Sequence, residues 1–231
     1  MTKKLIVCAD DFGFNSKINQ GIIVAHKNGV VTSASVIVTR DSFQEAANLS
    51  KENMKLGVGI HLDLDKFFST DQVSGIITDI DRTDLPIEEV YSEIKRQLDL
   101  YTGTIGAIPE FVSSHHHAHY SRDVFRKVIQ LCKEYKIPAV RLAKKFLSKE
   151  KITEFKQLLN ENQVITVSHF IEGWYWGNID EDFVTAELMT HPGFGEIWRE
   201  YELSACCDPK VKNYLREKNV QLITFKDLTA G

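Results

Sequence analysis

The sequence predicts an α/β fold, a distorted (β/α) barrel that is TIM-barrel-like. Apolar runs of strand length alternate with segments of helical periodicity along the whole chain. Acids and histidines recur just after the strand-like runs, the position that a barrel gathers onto one rim. No linker or internal repeat divides the 231 residues, so residues 1–231 read as a single domain. A doubly wound open sheet is the runner-up. Its first turn would need a G-x-G-x-x-G pattern, and this chain carries acids where a phosphate-cradling loop needs amides.

The elements follow in order. Residues 5–9 form an apolar strand that ends in Asp10-Asp11-Phe12-Gly13, and Ile18, Ile22 and Ala25 then recur at helical spacing up to Asn28-Gly29. Residues 30–38 read as a second strand, 42–51 as a helix and 56–60 as a third strand closing on His61. Residues 63–86 break the rhythm and are expected to cross the strand ends as a long excursion. Val90, Ile94, Leu98 and Tyr101 share one face of a helix over 87–101. Phe111-Val112 is strand four, followed by a helix marked by Val124, Val128, Ile129 and Leu131. Residues 139–142 make a short strand, 149–160 a helix, 164–168 a strand ending on His169, and 185–189 a strand running into Thr190-His191-Pro192-Gly193. A helix over 209–218 and a strand over 221–224 complete seven or eight units.

Composition excludes several function classes. Hydrophobic residues make up 43% and charged residues 26%, with a formal net charge of −4, which offers no basic stripe for nucleic acid. The apolar segment at residues 5–9 is too short for a signal or membrane span, and no uninterrupted apolar run approaches about 18 residues. Cys8, Cys132, Cys206 and Cys207 show no CxxC spacing and read as reduced thiols, so a cytoplasmic protein is expected.

Four of the eight histidines fall within His115–His119, and imidazole is the commonest protein ligand for borderline divalent metals. Asp10 and Asp11 follow strand one, His61 strand three, the histidine run strand four, and His191 strand seven, while Arg141 and His169 end strands five and six. Singly each has an ordinary reading: Asp11 as a helix cap, His61 as a satisfied core histidine, His191 as a turn residue. Together they suit a carboxylate plus two imidazoles that leave positions open for water and substrate, with a second carboxylate as base. A divalent ion there would bring a water pKa toward roughly 7 and polarise a carbonyl, so metal-assisted acyl hydrolysis is the implied reaction. Aromatic faces for a sugar ring are offered by Trp174, Tyr175 and Trp176, and secondarily by Phe67 and Phe68; Lys144 and Lys145 are candidates to meet a sugar phosphate.

Six ordered motifs carry a resemblance: Ala9-Asp10-Asp11-Phe12-Gly13, Gly29-Val30-Val31-Thr32-Ser33, Gly57-Val58-Gly59-Ile60-His61-Leu62, Ser114-His115-His116-His117-Ala118-His119, Ile137-Pro138-Ala139-Val140-Arg141 and Glu187-Leu188-Met189-Thr190-His191-Pro192-Gly193. By these the chain resembles the YdjC-like carbohydrate deacetylases, which include the chitooligosaccharide deacetylases. The resemblance implies a barrel of the glycoside hydrolase/deacetylase type that removes the acetyl group from an N-acetylated sugar, a chito-oligosaccharide or its 6-phosphate. It implies one divalent metal ion, Mg2+ or Zn2+, on Asp11, His61 and His115, with Asp10 as base and His191 as the acid for the departing amine. Arg141 would support the site or the substrate, and His117, Trp174 and Trp176 would meet the sugar. The family usually has an aspartate where this chain has Ser113, and often a cysteine where it has Thr190. A small-molecule carbohydrate is thus the expected partner, with no nucleic acid and no membrane, and a homodimer is left open. The rival readings are a metal-dependent phosphoesterase and a non-catalytic sugar-binding sensor, the latter suggested by Ser113 alone.

Overall fold

The computed structural model describes residues 2–71, 76–172, 179 and 182–228. Its centre is β1 (Lys3–Phe12), whose side chains alternate between two environments. Leu5, Val7 and Ala9 join the main core with Ile18 and Ile22 of α1 (Ser16–Asn28). Ile6 and Cys8 point the other way, into a smaller cluster with Phe111, Ala139, Val167, Ile223 and Phe225 that fills the barrel interior. Asp10 falls on the Ile6 and Cys8 side by the same alternation.

The other strands are β2 (Ser33–Val36), β3 (Gly57–Leu62), β4 (Val112–Ser114), β5 (His169–Glu172), β6 (Thr185–Thr190) and β7 (Val220–Leu222). Every ladder is parallel, in the order β4-β3-β2-β1-β6-β5, with β7 beside the first residues of β1. Beyond β4, among the described residues, the sheet continues through isolated parallel bridges, Val112 to Val140 and Ala139 to Ile165. The chain then runs from Ile165 into β5, which pairs with β6, so the curled sheet meets itself. The predicted barrel therefore forms, distorted where bridges replace ladders.

The helical layer comprises α1, α2 (Phe43–Glu52), α3 (Ile87–Ile105), α4 (Arg122–Tyr135), α5 (Lys149–Glu161), α6 (Ile197–Cys207) and α7 (Pro209–Glu217). Local chemistry starts several of them: Asn15 caps α1 by accepting from the Ile18 amide at 2.9 Å, and Asp208 caps α7 just before Pro209. A Cβ at Gly21 would lie 2.5 Å from the Gly193 Cα, so only glycine lets α1 approach the loop after β6 this closely.

Several boundaries differ from the sequence expectation. The strand expected over 30–38 is only Ser33–Val36, and residues 139–142 make bridges instead of a ladder. His169 opens β5 instead of ending a strand, so it pairs with Ala186 and packs near Phe183, away from the rim. α6 was not anticipated at all. Among the described residues no helix is long and apolar enough to cross a membrane, and all four cysteines are free.

Candidate active site

A cavity of about 620 Å³ opens at the C-terminal ends of the strands. Asp10, Asp11, His61, His115, His117 and His191 line it, and Ile77, Ile80, Phe146 and Trp198 supply apolar wall. The excursion thus crosses the strand ends as expected, with Phe67 and Phe68 half-buried against the core.

Strand alternation builds a polar layer beneath this cavity. Ser35, His61, Ser113 and Glu187 take the inward parity of β2, β3, β4 and β6, while Ala34, Ile60, Val112 and Leu188 face the helices. Arg141, fully buried, joins the layer from the Val140 bridge. Its Nη1 and Nη2 donate to the two oxygens of Asp10 at 2.5 and 2.7 Å, and its Nε donates to Glu187 Oε1 at 2.7 Å. Ser35 Oγ donates to Asp10 Oδ1 at 2.7 Å. Burial alone would raise the Asp10 pKa, but the Arg141 charge and its hydrogen bonds hold it well below the usual carboxylate range. Burial wins at Glu187, whose pKa is raised. Of the two roles expected for Arg141, substrate or site, the geometry gives it the site: it does not line the cavity.

Asp11 departs from the strand with φ +67°, a left-handed backbone that costs an L residue about 1 kcal/mol or more. The turn is held by the Asn19 side chain, which accepts from the Gly13 amide at 2.6 Å. Asp11 Oδ2 accepts from Arg199 Nη2 at 2.7 Å, whereas its Oδ1 is buried with no hydrogen-bond partner and stands 3.8 Å from His61 Nε2.

The hydroxyls around His61 fix its tautomer. His61 Nδ1 lies 2.7 Å from Ser113 Oγ and 3.1 Å from Ser35 Oγ. Ser35 already donates to Asp10, and Ser113 is placed to donate to the Ile60 carbonyl at 3.4 Å, so Nδ1–H donates and both oxygens accept. Nε2 is then a bare lone pair facing Asp11 Oδ1 at 3.8 Å and Asp10 Oδ2 at 4.0 Å. Burial pushes the His61 pKa down to about 4, which leaves the ring neutral. A neutral nitrogen lone pair set against an orphaned carboxylate oxygen fits a divalent cation between them. Ser113, where the resemblance leads one to expect an aspartate, thus touches His61 and offers it a hydroxyl.

His115 stands beside this pair, its ring centroid 5.9 Å from that of His61. Its Nδ1 bonds Asp65 Oδ2 at 2.8 Å. Burial would lower the His115 pKa, but the Asp65 hydrogen bond and the Asp11 charge raise it. His116 Nδ1 reaches the other Asp65 oxygen at 3.3 Å, and Asp65, His115 and His116 hold ligand atoms all within 4.8 Å of one another, a group that could bind a metal. Among the described residues this is the three-residue group within such reach, not Asp11, His61 and His115. His116 and His117 have φ of +49° and +57°, which turns His117 onto Tyr120 and Phe146, at ring distances of 5.3 and 4.8 Å.

His191 is governed by Glu202 of α6. Glu202 Oε2 accepts from Thr190 Oγ1 at 2.8 Å and from the His191 amide, and it lies 3.6 Å from His191 Nδ1. Burial opposes the charged ring, but Glu202, Asp11 and Asp10 raise the His191 pKa above the ordinary histidine value. Sequence reasoning missed Asp65, Arg199 and Glu202; the Thr190 position was singled out, and its hydroxyl turns out to bind Glu202. Trp174 and Trp176 lie outside the described residues, as does the side chain of Lys145. Lys144 donates to the Ser168 carbonyl and does not line the cavity.

The model of the YdjC-like protein family matches residues 4–217. A carbohydrate deacetylase of Brevibacillus brevis is 34% identical over 97% of this chain and 99% of its own. A chitooligosaccharide deacetylase of Proteus mirabilis is 27% identical over 99% of this chain and its full length. Among solved structures, a proposed cellobiose-phosphate cleavage protein of Enterococcus faecalis superposes with a TM-score of 0.81 at 25% identity, covering 99% of both chains. A deacetylase crystallised with substrate shares the fold at a TM-score of 0.53 and 14% identity. The match over most of the chain, together with the parallel barrel that carries its motifs, places this chain in the YdjC-like protein family.

Proposed function

We propose that the protein is a metal-dependent carbohydrate deacetylase, an amide hydrolase that frees acetate from an N-acetylated sugar of the chito-oligosaccharide class, unmodified or as its 6-phosphate. One observation carries the reading: the bare Nε2 of His61 and the orphaned Oδ1 of Asp11 face each other across 3.8 Å inside a sugar-sized cavity. The names of the full-length relatives, carbohydrate deacetylase and chitooligosaccharide deacetylase, support the reaction.

Asp11 and His61 would hold one divalent cation, Mg2+ or Zn2+, with His115 as third ligand and Asp65 as the carboxylate that orients its ring. Bound there, the ion would supply Lewis acidity to the acetamide oxygen and to a water. Asp10 takes the proton of the attacking water. Its ion pair with Arg141 keeps it ionised and fixes its direction, and because the same pair makes it a weak base it holds the proton only transiently before passing it on. The water oxygen bonds the acyl carbon, the carbon–nitrogen bond breaks, and the amine nitrogen takes its proton from His191, whose charged form Glu202 favours. Acetate and the free amine are the products. The free, mostly buried cysteines support a cytoplasmic setting.

The test is acetate release from N-acetylated chitobiose and from its 6-phosphate, beside phosphate release from a plain phosphomonoester. Asp10→Asn is expected to keep metal binding while lowering kcat by about 10²–10⁴-fold. Phosphate release without acetate, or full turnover in that variant, would remove this reading.

A further inference from the structure

Among the described residues, ten large hydrophobic side chains remain exposed, and six of them crowd one place. Ile76, Phe146 and Trp198 line the cavity, and Phe194, Ile197 and Tyr201 continue outward from Trp198 along the loop before α6 and its first turns. Ile197 is 89% exposed, Tyr201 64% and Trp198 47%. Spacings of three and four residues put all three on one side of the helix. The buried side of α6, which adjoins Trp198, carries Arg199 and Glu202, which bond Asp11 and the Thr190–His191 turn. One helix therefore grips the catalytic groups with one face and shows aromatic surface at the mouth with the other.

The exposed indole is also fixed in place. The Arg199 guanidinium lies 4.2 Å from the Trp198 ring centroid, and the His191 ring lies 5.7 Å away. A preorganised ring beside the group that would protonate the leaving amine is placed to meet the sugar that bears it. Pyranose rings present C–H faces to aromatic surfaces while their hydroxyls stay in water, so a half-exposed aromatic platform suits a glycan better than it suits a free solvent face.

We propose that Trp198, Ile197 and Tyr201, with Phe194 beside them, form a glycan platform that extends the cavity, binding the further sugar units of a chito-oligosaccharide outside the unit being deacetylated. Continuity commits the patch to this occupant: Trp198 belongs both to the cavity wall and to the outer surface, so the same chain that fills the one must cross the other. The inference rests on the carbohydrate reading above and names which substrates that site prefers.

The experiment compares KM for acetate release from N-acetylated chitobiose and chitotetraose in the intact protein, in Tyr201→Ala and in Ile197→Ser, with calorimetric binding of both sugars and light scattering in parallel. The tetramer is expected to have a KM about fivefold or more below that of the dimer, the scale of one good aromatic contact, and both variants are expected to erase most of that ratio. Equal KM values for both lengths, or a ratio the variants leave intact, would overturn the platform. A dimer that the variants turn into monomers would overturn it too, by assigning the patch to a second copy of this chain. If no acetate appears but binding still tightens with length and loosens in the variants, the deacetylase reading fails while the platform stands.

Discussion

At the scale of single residues, the site depends on charges and lone pairs that the protein interior tolerates only in company. Arg141 is fully buried between Asp10 and Glu187. Arg141→Met should therefore cost about 3–5 kcal/mol of stability, because it strands two buried carboxyls, and it should lower kcat by releasing Asp10. Urea unfolding beside acetate release measures both. Ser113 gives His61 Nδ1 a hydroxyl at 2.7 Å where a carboxylate would be the stronger acceptor. Ser113→Asp should make Nε2 more basic and tighten divalent-ion binding about tenfold or more, read by calorimetry. The sequence displayed Asp10, Asp11, His61 and His191 plainly because strand ends advertise their polar residues. Asp65 was hidden, since it is one of several aspartates in an aperiodic stretch and only a single 3-10 turn, Asp65–Phe67, aims it at His115.

At the scale of elements, the turn after β4 shows how backbone and imidazole chemistry combine. His119 is buried, with Nδ1 accepting from Ser114 Oγ at 2.5 Å and Nε2 donating to the Arg141 carbonyl at 3.1 Å, so the ring is held neutral. Burial pushes its pKa down to about 3. Below its unfolded value of roughly 6.5 the unfolded chain takes up a proton that the native chain refuses, so stability must fall with pH, by up to about 1.4 kcal/mol per unit, until pH nears the native value. Urea midpoints are expected to drop between pH 7 and pH 4.5, and His119→Gln is expected to flatten the drop, leaving the shares due to His61 and His117. The long amphipathic helices were legible because their apolar faces repeat cleanly. α6 was not, because it is apolar on both sides: Leu203 and Cys206 face the core while Ile197, Trp198 and Tyr201 face outward, which blurs the helical period. Residues 139–142 and 164–168 have the composition of strands, but the first makes two isolated bridges, to Val112 and to Ile165, and the second only the latter, instead of ladders.

At the scale of the molecule, the site is a clasp between distant parts of the ring. Asp11 comes from β1, His61 from β3, His115 from the turn after β4 and Arg199 from α6, so the ion proposed on the first three would tie the barrel together. Divalent cation at one hundred times its Kd should therefore stabilise the fold by about 2.7 kcal/mol, and a chelator should lower Tm correspondingly in calorimetric scans. The overall architecture was the most legible feature, because alternation of strand and helix is written along the entire chain, whereas the clasp depends on angles that no local pattern records. Asp11, His116 and His117 all adopt left-handed backbone angles at this one rim. Glycine or asparagine would sit more comfortably at each. Evolution in the laboratory scored solely on heat resistance would drift toward those replacements and deliver a hardier barrel with a dead centre, so durability and catalysis have to be selected together.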